Sequence, residues 1–91
     1  MPLLPKPVVD VVFCEVENGA VLLHAAQEVY YGLNQVGAEI WQLLPPASAE
    51  IDGLLVSLQT RYPEVPVTTL RVDVDALLLD LAAHGLVETP A

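Results

Sequence analysis

Glu28-Val29-Tyr30-Tyr31-Gly32-Leu33-Asn34 is the stretch in which this chain changes from strand to helix. Two adjacent tyrosines suit a pleated, half-buried surface. Alternation puts Val29, Tyr31 and Leu33 on one face and Glu28, Tyr30 and Gly32 on the other. Tyr31 therefore reads as core, and Tyr30 is the less determined of the pair. Asn34 stands where a helix should begin, and its side chain can accept a bond from an orphan backbone N–H. Val36, Ile40, Leu43 and Leu44 follow at helical spacing, with Trp41 on the flank as a packing residue.

Upstream, the apolar residues come in short strand-like runs. Residues 1–7 hold three of the eight prolines and read as an extended, loosely held arm. Val8 to Val16 predicts a first strand, Glu17-Asn18-Gly19 a hairpin turn, and Ala20 to Ala26 a second strand. Gln27-Glu28 is the next tight link, and Val29 to Leu33 the third strand. Three short strands with short links imply an antiparallel meander.

Downstream, the pattern predicts three helices. The first spans roughly residues 35–44 and is stopped by Pro45-Pro46. Ser48 is the expected N-cap of a second helix carrying Ile51, Leu54, Leu55, Leu58 and Tyr62. Thr68 or Thr69 is the expected cap of a third, roughly Leu70 to His84. Its core face is Leu70, Val74, Leu77, Leu78 and Leu81. Val72, Ala76, Leu79 and Ala83 make a second apolar stripe nearly opposite. Arg71 and Asp75 lie on one side between the stripes, and Asp73, Asp80 and His84 on the other. A helix apolar on two faces needs a second partner. Gly85 is a stop signal, and Leu86-Val87 fold back as an apolar tail. Strands followed by helices argue an α+β fold, one domain over residues 8–88, winged helix-turn-helix-like in outline.

Composition narrows the function. Apolar residues make up 54% of 91, and mean hydropathy is +0.52, high for so small a chain. No apolar run is long enough to span a membrane, and the first residues lack a signal-peptide core, which reads as a cytoplasmic protein. Twelve acids against three bases give a charge of −9. Lys6, Arg61 and Arg71 are too scattered to form the basic patch that duplex phosphate requires, so charge opposes the DNA-binding role that a winged-helix outline would suggest, and no nucleic-acid partner is expected. Cys14 is single and reads as a small buried apolar residue. His24 and His84 match no metal spacing and read as structural. No nucleophile, acid pair or phosphate loop is present in the pattern, so the sequence predicts neither catalysis nor a cofactor or metal.

Tyr30-Tyr31-Gly32-Leu33-Asn34, Ile40-Trp41-Gln42-Leu43-Leu44, Val74 to Leu81 and Gly85-Leu86-Val87-Glu88 together resemble the PqqD-like family of leader-peptide recognition elements. The resemblance covers roughly residues 8–88. With its tyrosine pair it looks most like the stand-alone leader-binding protein of lasso peptide clusters. It implies a non-catalytic protein of three strands and three helices that takes a precursor's leader as an added strand and passes it to a modifying enzyme. The implied contacts are the backbone of Glu28, Val29, Tyr30, Tyr31, Gly32 and Leu33, and the side chains of Val72, Asp75, Ala76 and Leu79. The implied partners are the leader, which in lasso systems carries a Tyr and a Pro as anchors, a transglutaminase-like leader peptidase and a cyclase. Two alternatives stay open: a chaperone for a pyrroloquinoline quinone or other radical-SAM-modified precursor, and a non-catalytic subunit that forms a homodimer through the third helix.

Overall fold

The computed structural model describes residues 3–45 and 47–88. Its order is β1 (Lys6–Pro7), β2 (Val11–Val16), β3 (Gly19–His24), β4 (Val29–Asn34), α1 (Gln35–Leu43), α2 (Ile51–Arg61), α3 (Val67–Ala83) and β5 (Val87–Glu88). β2, β3 and β4 form the antiparallel meander, with β3 central. Three helices follow, as the α+β reading expects.

The sheet is pinned by its turns. Val16 pairs with Gly19 across Glu17-Asn18. A Cβ on Gly19 would lie 2.0 Å from the Leu33 carbonyl oxygen, so β4 can approach only a glycine there. Glu28 adopts φ 55°, a left-handed turn conformation that delivers the chain into β4. Ala20, Leu22 and Leu33 project from the inner face into the core, where they meet Ile40, Trp41, Leu54, Leu58, Val74 and Leu81.

Asn34 caps α1 as expected, its Oδ1 accepting from the Gly37 N–H at 2.7 Å. The other two caps differ from expectation. Helix α2 starts at Ile51 behind Glu50, not behind Ser48. The reason is the N-terminal segment: Leu3 bridges Glu50, and the Leu4 N–H donates to the Ala49 carbonyl at 2.9 Å. Those bonds hold residues 49–50 extended. Helix α3 starts at Val67 behind Pro66, three residues earlier than expected. Pro66 has φ −59°, and its carbonyl already accepts from Thr69 and Leu70. Thr68 and Thr69 are left in the first turn, and neither caps the helix.

Of the expected loose arm, Met1 and Pro2 lie outside the described residues, and residues 3–7 are held. Leu4 is buried in the core, and β1 pairs with β5 in a second, two-stranded sheet that the sequence did not predict. Val8 and Val11 close a turn (Val11 N–H to the Val8 carbonyl, 3.1 Å), which delays β2 to residue 11. At its far end α3 stops in a Schellman motif. Gly85 has φ 71°, its N–H donates to Ala82, and the Leu86 N–H donates back to Leu81 at 3.0 Å. Leu86 is thereby buried and β5 is turned toward β1.

Candidate functional site

A free strand edge beside a groove is the main feature of the surface. β4 bonds β3 on one side and nothing on the other among the described residues. The phase of its hydrogen bonds follows from the Ala25 N–H donating to the Asp10 carbonyl at 3.0 Å. Bonded pairs alternate along an antiparallel ladder. With the observed register, Ala20, Leu22 and His24 bond to Leu33, Tyr31 and Val29. The N–H and C=O groups of Tyr30 and Gly32 therefore point outward, away from the sheet.

Beside this edge runs a groove lined by Tyr31, Asn34, Val36, Gly37 and Ile40 on one side and Asp73, Ala76, Leu77, Leu79 and Asp80 of α3 on the other. Tyr31 reaches across it, its hydroxyl donating to an Asp80 carboxylate oxygen. Partial burial, and then the Asp80 carboxylate, push the Tyr31 hydroxyl up to about 12. His84 packs edge-on against the Tyr31 ring, centroids 5.1 Å apart. Its Nδ1 lies 2.8 Å from the Asp80 carbonyl oxygen and 3.8 Å from the carboxylate. Tyr31, Asp80 and His84 thus tie β4 to the C-terminal half of α3 and mark one end of the groove.

The residues expected at the site divide. Val29, Tyr31 and Leu33 point inward, with Leu33 in the core, while Tyr30 is 71% exposed. Glu28 lies in the turn before β4, not in the strand. Ala76 and Leu79 line the groove, and Leu79 is 74% exposed. Val72 is exposed on the same shoulder of α3 but does not line it. Asp75 is turned away and paired with Arg71 at 3.4 Å. Asp73, Leu77 and Asp80 line the wall and were not expected there. Their spacing puts them on one side of α3, but which side meets β4 depends on how the helix is rotated against the sheet. Leu77, expected in the core, is half-buried between core and groove.

The sheet's outer face is the second unusual surface. Val12, Cys14 and Val16 of β2, Val21 and Leu23 of β3, and Tyr30 of β4 all project from it, and none carries a charge. Cys14 is exposed there, contrary to expectation, because the even positions of β2 point away from the helices. An antiparallel sheet with one free face normally shows polar residues on it. His24, by contrast, is buried on the inner face. No cluster of His, Cys, Asp and Glu that could hold a metal occurs among the described residues, and no described helix is long and apolar enough to cross a membrane.

These features define a small α+β unit with an open sheet edge facing a helix, and residues 19–87 match the family described as coenzyme PQQ synthesis protein D (PqqD). The chain belongs to that family. Among solved structures it is similar to TbiB1 in complex with the TbiA(beta) leader peptide, at 30% identity and a TM-score of 0.81, covering 94% of this chain and 98% of that one. No curated protein matches the sequence significantly.

Proposed function

We propose that this chain binds the leader of a ribosomally made precursor peptide as an added strand on β4 and presents it to a processing enzyme in lasso peptide biosynthesis. The observation that carries this reading is the outward-pointing backbone of Tyr30 and Gly32 beside an open groove. An extended peptide satisfies those groups and drops alternate side chains toward α3. Leu79, Ala76 and Leu77 offer it apolar anchor points. The likeness to a protein solved with a leader peptide bound supports a leader as the ligand. The role is binding and delivery rather than catalysis, at the site of precursor synthesis in the cytoplasm.

The processing enzyme, a transglutaminase-like leader peptidase on this reading, would cover the apolar outer face of the sheet. Tyr30 connects the two surfaces: its backbone lies on the peptide edge and its ring on the outer face. An enzyme seated there is within reach of the bound leader. Quinone-cofactor biosynthesis is the second reading, favoured by the description of the matching family. A radical-SAM enzyme, not a peptidase, would then be the partner that copurifies.

Two α3 variants test the groove. Leu79→Asp alters an exposed residue and should change stability by less than about 0.5 kcal/mol. It should nonetheless weaken leader binding at least tenfold, because it places a charge where an apolar anchor is desolvated. Leu81 is fully buried, and Leu81→Ala should cost about 2–5 kcal/mol and lower the melting temperature sharply. Normal leader binding by a folded Leu79→Asp protein would exclude this groove.

A further inference from the structure

We propose that Asp73 makes the groove select peptides with a basic side chain at one position and reject acidic ones there; this rests on strand addition at β4. The groove lining contains two carboxylates, Asp73 and Asp80, and no cation. Asp80 is already engaged by the Tyr31 hydroxyl, with His84 beside it. Asp73 makes no ion pair or side-chain hydrogen bond among the described residues. The arginines that could neutralise it are taken: Arg71 by Asp75 at 3.4 Å and Arg61 by Glu39 at 3.2 Å. Lys6 lies along a different cleft, with Pro7, Val8, Val9 and Pro45. Among the described residues no Lys or Arg lines the groove, so a basic side chain on an entering peptide can pair with Asp73.

Three further observations point the same way. Val36, Ile40 and Leu77 line the same groove, so the carboxylate acts across a surface less screened than open solvent. The net charge of −9 adds a long-range field that disfavours acidic peptides. Asp73 and Asp80 are two turns apart on one side of α3, about 10 Å along the helix axis. That distance matches about three residues of extended chain, so a long basic side chain roughly two to four residues from the peptide residue beside Tyr31 would reach Asp73.

The test is a selection of random peptides displayed on their encoding nucleic acid, using the full chain as bait. The enriched peptides should share one position rich in Lys or Arg and depleted of Asp and Glu. Replacing that basic residue by Glu in a synthetic consensus peptide should weaken binding about fivefold or more. Asp73→Asn should remove the preference, and Asp73→Lys should reverse it; both are changes at one exposed position that leave the core untouched. Peptides that protect the Tyr30 and Gly32 amides but show no basic preference, or one unchanged in Asp73→Asn, would overturn the role of Asp73 and leave strand addition standing. Peptides that leave those amides unprotected would overturn both.

Discussion

Tyr31 does two jobs through one side chain. Its ring packs on the inner face of the sheet, and its hydroxyl holds α3 through Asp80. The hydroxyl keeps its proton in the folded state up to about 12, against an ordinary value of about 10. The sign follows: the folded chain binds this proton more tightly than the unfolded chain. The stability linked to it is complete below pH 10 and is lost as pH rises from 10 to 12. Tyr62 is also raised, first by the nearby Glu39 carboxylate, so alkaline titration alone does not single out Tyr31. Tyr31→Phe should remove the latest tyrosinate transition seen by absorbance and flatten the fall in stability between pH 10 and 12. An unchanged last transition in Tyr31→Phe would mean that the Asp80 bond does not hold in solution. In the sequence Tyr31 read as core from its neighbours Val29 and Leu33, and its ring does pack inward. The bond to Asp80 spans 49 residues, and no local pattern could announce it.

Elements were legible where their signals were local. Asn34 caps α1 with its own side chain, and Gly85 terminates α3 because glycine adopts φ 71° without strain. The apolar stripes of α2 and α3 named most of the core: Leu54, Leu58, Leu70, Val74 and Leu81 are all buried. The errors arose where tertiary contacts overrode local chemistry. Ser48 is a good capping residue, but the pairing of Leu3 and Leu4 with residues 49–50 holds that stretch extended. Thr68 and Thr69 lost to Pro66, whose restricted φ starts the helix sooner. The two-stranded sheet of β1 and β5 joins residues about 80 apart in sequence, each strand only two residues long, too short to show alternation. The third strand and the exposed stripe of Ala76 and Leu79, which lies along the groove, were readable. That Val72 and Asp75 lie off the groove lining, and Asp73 and Asp80 on it, depends on the rotation of α3, which no local pattern gives.

At the scale of the molecule, three strands carry apolar residues on both faces while only one face is covered by helices. That explains how a chain with charge −9 can still have mean hydropathy +0.52. The acids keep the protein dispersed, and part of the uncovered apolar surface lies on the outer sheet face, at Val12, Val16 and Tyr30, and part on α3, at Val72 and Leu79. If that face receives the processing enzyme, Val12→Lys should leave leader affinity unchanged and abolish capture of the enzyme. Val12 is 48% exposed and far in register from the β4 edge, so the fold should tolerate the change. Loss of leader binding in a folded Val12→Lys protein would show that the two surfaces are not separate.

Strand addition at β4 depends on which of its backbone groups are free. Amide hydrogen exchange reads them one by one. In the unbound protein Val29, Tyr31 and Leu33 should be protected by β3, while Tyr30 and Gly32 exchange rapidly. With saturating leader, Tyr30 and Gly32 should become protected and the alternation along β4 should vanish. Val11, Phe13 and Glu15, which point outward from the other free edge on β2, should stay as they were. Leader-dependent protection on β2, or fast exchange at Tyr30 and Gly32 in the complex, would contradict strand addition at β4.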